Sequence, residues 1–152
     1  MAFKAIDWVD NQIILLDQTL VPIEEKYISV ATIDSLIDCI KRLVVRGAPA
    51  LGVVGAYGVV IAMDEAKQKN LSPTELEKLI DSLRDARPTA VNLAWAVEKV
   101  RPLVGKGREA VLSAAVEIAN ADKASSTSMG NHGADWLINK LGQKPLTLLT
   151  HC

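Results

Sequence analysis

The chain has 152 residues, 49% of them apolar, and its 17 basic residues nearly balance its 18 acidic ones. This composition excludes a disordered chain, because enough apolar side chains are present to build a core. The charge balance argues against a nucleic-acid-binding surface, which usually carries a basic excess. An anionic small molecule remains compatible with it, since one or two well-placed arginines can bind a phosphate.

Cysteine usage and the N-terminal segment indicate a cellular setting. Cys39 and Cys152 are too few for a disulfide scaffold, which favours a reducing, cytoplasmic compartment. The first ten residues lack the apolar stretch of a signal peptide. The uncharged run Ala48–Met63 is shorter than the roughly 20 residues of a membrane helix, so it predicts a buried helix and no membrane partner.

The N-terminal segment predicts a small antiparallel sheet. Ala5–Val9 and Ile13–Leu16 are short apolar runs joined by residues 10–12, where Asp and Asn tolerate a left-handed backbone. Glu25–Val30 adds a third strand.

Helices follow. Thr32 is suited to cap a first helix, whose apolar residues recur at helical spacing as far as Val44. A second helix runs from Pro49 to about Lys67 and is apolar on nearly every side, which places it centrally. Three glycines inside it each cost up to about 1 kcal/mol relative to alanine, so we expect a neighbour to approach closely there: Gly52, Gly55 and Gly58.

Two shorter helices come next. Ser72–Glu75 forms a capping box with proline at the first helical position, and the helix it begins ends near Ala86. The segment Ala90–Val100 predicts another helix, which Arg101 and Pro102 end.

The C-terminal part predicts one long helix and one strand. The helix extends from Arg108 to about Leu141, with an interruption around Ser125–Gly130, and Leu146–Thr150 is a β-prone apolar run. We divide the chain into a helical N-terminal domain with a small sheet, residues 1–120, and the start of a truncated α/β domain, residues 121–152. A buried strand needs neighbours, which suggests a chain cut short of its full α/β domain.

Two helix starts carry an arginine beside a turn. Arg46 precedes Gly47, Ala48 and Pro49, and a helix N-terminus next to a guanidinium suits a phosphate or another anion. Arg87 stands before Pro88 and Thr89, with Thr89 as the expected cap of the next helix. Taken singly, such segments are more often a solvated or structural arginine and an ordinary capped helix than an anion site. Two such starts in one domain predict that both face one cleft.

Two further segments contain groups capable of acid–base or nucleophilic chemistry. His132, within Met129–Ala134, is either an acid–base group or a packing or surface histidine. Cys152 follows an apolar strand, where open α/β sheets place reactive groups, but a buried structural cysteine is the alternative. The sequence contains no metal-ligand pattern and no dinucleotide or Walker motif.

Together these segments resemble the methylthioribose-1-phosphate isomerase family in order and spacing: Val45–Gly52, Arg87–Leu93, Met129–Ala134 and Leu149–Cys152. The wider superfamily includes ribose-1,5-bisphosphate isomerases and the regulatory α, β and δ subunits of initiation factor 2B. Asn92 and the Thr-His-Cys ending favour the isomerase branch. One position departs from the family pattern, since Ser126 stands where an asparagine is expected.

The resemblance implies roles for particular residues. Arg46, Gly47 and Ala48 would bind the substrate, Arg87 would be a second contact, and Cys152 would be the active-site cysteine. The family also needs an aspartate as proton donor, a glutamine and an asparagine–lysine pair, which lie in a second half absent from this chain.

The resemblance also implies the function of the whole protein. It would convert 5-methylthioribose 1-phosphate to 5-methylthioribulose 1-phosphate in methionine salvage, without a cofactor. The implied fold is a helical domain followed by a Rossmann-like domain, in a homodimer. An isomerase of another phosphorylated pentose, such as ribose 1,5-bisphosphate, and a non-catalytic regulatory module remain as alternatives.

Overall fold

The computed structural model of the chain describes residues 4–149, which form a mostly helical α+β structure. The three strands form one antiparallel sheet in the order β1-β2-β3. This confirms the predicted fold class as far as the helices and the small sheet are concerned. The strands are β1 (Ile6–Val9), β2 (Gln12–Leu16) and β3 (Tyr27–Val30), and the helices are α1 (Ile33–Lys41), α2 (Ala48–Lys69), α3 (Pro73–Arg84), α4 (Val91–Val100) and α5 (Arg108–Leu141), with a 3-10 helix at Arg101–Lys106 between α4 and α5.

The predicted hairpin is present, with a two-residue turn. Asp10 and Asn11 have positive φ angles of 50° and 64°, as a type I′ turn requires at both central residues. Its twist matches that of the flanking strands, and Trp8 pairs with Ile13 across them. Gln12, predicted to belong to the loop, is the first residue of β2.

The predicted N-caps of α1 and α3 are confirmed. The Thr32 side chain accepts a hydrogen bond from the Ser35 N–H at 3.3 Å. In α3, Ser72 accepts from the Glu75 N–H while Glu75 accepts from the Ser72 N–H, which completes the capping box.

Helix α2 is the central element of the fold. Every residue from Leu51 to Ala62 is buried, and α1, α3, α4 and the sheet all contact this helix. Among the helices of residues 4–149, α2 alone is long and apolar enough to cross a membrane, but 72% of that apolar window is buried inside the structure. The burial identifies α2 as a core helix, as its composition predicted.

The glycines of α2 permit the close packing that was expected of them. A Cβ atom built on Gly55 would lie 2.9 Å from Leu93 Cδ1 and 3.0 Å from the Leu93 carbonyl oxygen of α4. One built on Gly58 would lie 2.5 Å from Leu83 Cδ2 and 2.7 Å from Leu36 Cδ2. The contacts at Gly55 include a backbone oxygen, which can give way only if the α4 backbone shifts, whereas those at Gly58 are the ends of leucine side chains, which can move more easily.

A buried carboxylate joins α2 to the start of α1. Glu65 is only 4% exposed, and its Oε2 accepts the Ile33 N–H at 2.8 Å. Its Oε1 accepts from Lys69 Nζ at 2.5 Å. The charge is therefore paired and hydrogen-bonded, which offsets the cost of its burial.

The start of α5 is fixed by a bidentate ion pair. Arg108 Nε lies 2.6 Å from Asp64 Oδ1 and its NH2 lies 2.9 Å from Asp64 Oδ2. The same guanidinium donates to Asn11 Oδ1 in the hairpin turn at 2.6 Å. One arginine thus connects α2, α5 and the sheet.

Contacts divide the chain into two compact units, one ending at Ala119 and the other beginning at Asn120, within α5. The interruption predicted around Ser125–Gly130 is wrong, because α5 is continuous from Arg108 to Leu141. Hydroxyl-bearing residues can stay in a helix by bonding to the preceding turn, and Thr127 Oγ1 donates to the Lys123 carbonyl at 3.0 Å.

The predicted strand over Leu146–Thr150 is also not observed. Residues 146–149 adopt no regular element, and Thr150 lies outside the described residues. A strand is held by hydrogen bonds to a neighbouring strand, and residues 4–149 provide none for this segment.

The α2–α4 packing leads to a stability prediction. We expect Gly55→Ala to lower the free energy of unfolding by about 1–3 kcal/mol, because the added methyl group must displace the α4 backbone. Urea denaturation would measure this change.

The matched control is Gly130→Ala, at a helical glycine with nothing within 4 Å of the added carbon. It should be neutral or slightly stabilising, since alanine is the better helix former by about 1 kcal/mol. Equal effects of the two substitutions would contradict the proposed packing constraint.

Candidate functional site

A cleft of about 380 Å³ lies where α2 and α4 begin, and it is contained in the unit that ends at Ala119. Both arginine-bearing helix starts contribute to it, so the structure brings them together on one surface. The cleft is lined by Gly47, Ala48, Leu51, Arg87, Thr89, Ala90, Val91 and Asn92.

The start of α2 presents open backbone donors to this cleft. Gly47 occupies the N-cap position with a φ of 96°, in the left-handed region that favours glycine, and supplies no side-chain cap. Its carbonyl accepts the Leu51 N–H at 3.0 Å. The N–H groups of Ala48 and Ala50 have no intrahelical acceptor, while Pro49 has no N–H to satisfy.

The start of α4 also presents backbone N–H groups without a side-chain cap, and the prediction that Thr89 caps this helix is wrong. The cap position is occupied by Ala90 rather than Thr89, and no side chain caps the helix. A tight turn, in which the Ala90 N–H donates to the Arg87 carbonyl at 2.9 Å, moves Thr89 out of the cap position. The N–H groups of Val91 and Asn92, which like those of any first helical turn have no intrahelical acceptor, therefore have no side-chain cap either.

Helices α1 and α3 of the same unit have N-termini of a different kind. Helices α1 and α3 have side-chain caps and an acidic residue in their first turn, namely Asp34 and Glu75. Helices α2 and α4 have neither. The positive ends of these two helix dipoles thus remain unneutralised at one cleft, which is the arrangement that binds an anion.

The arginines also fall into two groups, those paired with a carboxylate and those without such a partner. Four of the six are ion-paired with carboxylates: Arg42, Arg84, Arg101 and Arg108. Arg46 and Arg87 make no salt bridge or side-chain hydrogen bond within residues 4–149. Arg87 is half-buried and lines the cleft, whereas Arg46 is exposed and directly precedes Gly47. Both guanidinium groups are available to an anion.

Leu51, Ala90 and the side chain of Asn92 line the cleft as well, and no sequence signal indicates a role for them. The glycine at position 52 did predict the close approach of a neighbouring element. The structure shows this approach, because a Cβ on Gly52 would lie 3.3 Å from the Asn92 carbonyl oxygen. The first turn of α4 therefore lies against α2, but sequence spacing alone does not identify which residue meets that glycine.

The remaining candidate groups lie elsewhere. Cys152, the expected catalytic residue, is outside the described residues. His132 is an exposed residue of α5 in the second unit. Cys39 is a poor nucleophile, because its burial and the nearby Asp38 carboxylate raise the pKa of its thiol. No group of three or more His, Cys, Asp or Glu side chains suited to a metal ion occurs in residues 4–149.

The chain belongs to the initiation factor 2 subunit family, whose sequence model matches residues 44–152. Within it, the chain is 39% identical over 157 aligned positions to a methylthioribose-1-phosphate isomerase of Pseudomonas syringae pv. syringae (strain B728a). That alignment covers 98% of this chain and 43% of the relative.

Two solved structures are also similar. The first is 5-methylthioribose 1-phosphate isomerase from Pyrococcus horikoshii OT3, with a TM-score of 0.78, 26% identity, and coverage of 88% of this chain and 40% of that one. The second is the translation initiation factor eIF-2B subunit delta from A. fulgidus, with a TM-score of 0.68, 36% identity, and coverage of 80% and 38%. The chain spans less than half the length of each of these proteins.

The cleft predicts anion binding by the chain. We expect inorganic phosphate to shift the backbone amide resonances of Ala48, Ala50, Val91 and Asn92 in a nitrogen-15 NMR titration. Arg87→Gln should weaken this binding at least about tenfold, because a hydrogen bond to a charged group contributes about 1.5–3 kcal/mol.

A control with the same change in net charge is Arg42→Gln, which removes an exposed arginine paired with Asp38 at 2.7 Å. It should leave phosphate binding nearly unchanged. If both variants lose affinity equally, the phosphate responds to overall charge and the cleft is not its site.

Proposed function

We propose that this chain is part of an aldose–ketose isomerase that converts 5-methylthioribose 1-phosphate to 5-methylthioribulose 1-phosphate. The observation that carries the proposal is the cleft at which two uncapped helix N-termini and the unpaired Arg87 meet. It supplies what a sugar phosphate needs, namely backbone N–H donors, a positive electrostatic potential and a guanidinium. The names of the Pseudomonas and Pyrococcus proteins support this choice among phosphate-binding activities.

Each candidate residue has a role in this proposal. Arg46, Gly47 and Ala48 bind the substrate at the start of α2, and Arg87 holds it from the α4 side. Cys152 acts at the reacting carbons. Fixing the phosphate at two helix starts orients the sugar, so that binding energy serves the chemical step.

The chemistry breaks the bond between C1 and the ring oxygen, moves the hydrogen of C2 to C1, and passes the C2 hydroxyl proton to the freed ring oxygen, so that C2 becomes a carbonyl and C1 is reduced with no net redox change. The phosphate on C1 prevents simple ring opening, so the site must stabilise an opened intermediate. Proton transfer involving Cys152 and an aspartate is one route, and hydride transfer in a dry pocket is the other. Neither route requires a cofactor.

The proposal extends to the rest of the protein. Residues 121–152 begin a Rossmann-like domain that supplies the aspartate, the glutamine and the asparagine–lysine pair. The full-length protein is a cytoplasmic homodimer that acts on a small sugar phosphate and binds neither nucleic acid nor membrane.

A regulatory function is the second candidate, because the A. fulgidus subunit is 36% identical over 80% of this chain. A regulatory module would form a stable complex with an initiation factor and lack isomerase activity. The helical unit and its cleft would then serve binding alone.

The decisive measurement is turnover by the full-length protein. We expect it to convert 5-methylthioribose 1-phosphate in preference to ribose 1,5-bisphosphate, with the ketose detected by carbon-13 NMR. Cys152→Ser should lose most of the activity without loss of thermal stability, because the proposal assigns the thiol to the chemical step.

A polypeptide limited to residues 1–152 should show no turnover, since it lacks the proton donor. Measurable turnover by that polypeptide would contradict the assignment of the missing aspartate. A full-length protein that binds an initiation factor and isomerises neither sugar would favour the regulatory function.

A further inference from the structure

Asn92 occupies a distinctive place in the cleft. It is the second residue of α4, it is half-buried, and it lines the cleft with Arg87. Its Cβ lies 3.7 Å from the position that a Cβ on Gly52 would take, and its carbonyl oxygen lies 3.3 Å from that position. The absence of a side chain at Gly52 therefore allows Asn92 to lie close against α2 at the edge of the cleft.

The side-chain amide of Asn92 makes no hydrogen bond within residues 4–149. The two buried carboxylates of this unit, in contrast, are paired. Asp17, 4% exposed, accepts from the Thr19 hydroxyl at 2.6 Å, and Glu65 accepts from the Ile33 N–H. Asparagine is also a weak helix former. Neither hydrogen bonding within the fold nor helix propensity explains an asparagine at position 92.

The chemistry of a carboxamide suits a hydroxyl group better than it suits a phosphate. It is neutral and offers both a donor and an acceptor, which matches the donor and acceptor character of a sugar hydroxyl. The charge of a phosphate is already met in this cleft by Arg87 and by the N–H groups of two helix starts. A neutral group beside them can contact the part of the ligand that adjoins the anion.

We propose that the Asn92 side chain binds a hydroxyl of the sugar next to the phosphate, and so distinguishes a phosphorylated sugar from a bare anion. The inference rests on the proposed function, because it places the sugar phosphate in this cleft. It goes beyond the anion site by assigning the sugar contact to a residue of α4. A site that hydrogen-bonds a substrate hydroxyl discriminates strongly against ligands that lack it.

The test compares two probes, inorganic phosphate and 5-methylthioribose 1-phosphate, by titration calorimetry on the full-length protein. Asn92→Ala should weaken binding of the sugar phosphate about tenfold, the upper end of what one neutral hydrogen bond contributes. Binding of inorganic phosphate should change less than about twofold, because its own contacts remain. Asn92→Leu should also weaken binding of the sugar phosphate and not of inorganic phosphate. Because leucine is similar in size to asparagine, this variant excludes the lost side-chain volume as the cause.

Two matched variants define the controls. Arg87→Gln should weaken binding of both probes, since it removes the anion contact. Asn120→Ala, at an exposed residue of α5, should weaken neither. Thermal unfolding of each variant checks that the fold is retained.

Three results would overturn the inference: equal loss of both probes in Asn92→Ala, no loss of either probe, or a wild-type protein that binds the sugar phosphate no more tightly than phosphate. These results are independent of turnover. A protein that shows the expected separation of affinities but no isomerase activity would refute the proposed function and retain Asn92 as a sugar contact.

Discussion

The close packing of α2 against α4 is the constraint on which the helical unit depends. Helix α2 is buried on all sides from Leu51 to Ala62, so every other element of the unit is arranged around it. Its glycines at positions 52 and 55 meet the α4 backbone, which brings the two helix axes close together. Because the contact joins the first turn of α4 to Gly52, one turn into α2, the same packing that builds the core also brings the two helix N-termini to one cleft.

Two of the helices in this unit have side-chain N-caps, and two do not. Helices α1 and α3 satisfy their first N–H groups with Thr32, Ser72 and Glu75, as stable helices usually do. Helices α2 and α4 lack such caps, which costs about 1 kcal/mol at Ala90 and only about a few tenths of a kcal/mol at Gly47. An anion in the cleft would supply the missing acceptors, so ligand binding and stability are coupled in this unit.

The sequence predicts correctly those parts of the structure that depend on interactions between residues close together in the chain. The turn at Asp10 and Asn11, the caps at Thr32 and Ser72, and the core position of α2 all follow from side-chain chemistry within a few residues. The predicted cap Thr89 was wrong because a tight turn from Arg87 displaces it. The strand predicted over Leu146–Thr150 is not observed in residues 146–149 because a strand requires a distant partner. Asn92 was recognised as part of a motif, but its position against Gly52 depends on how two helices cross.

Gly55 and Gly58 of α2 should differ in whether evolution can replace them with a larger residue. Gly58 faces only the side-chain ends of Leu83 and Leu36, so a larger residue there can be accommodated when one of those leucines becomes smaller. Gly55 faces the Leu93 carbonyl as well as its side chain, and no substitution at position 93 removes a backbone oxygen. Position 58 should therefore covary with positions 36 and 83, while position 55 should stay fixed as glycine among proteins that share this helix crossing.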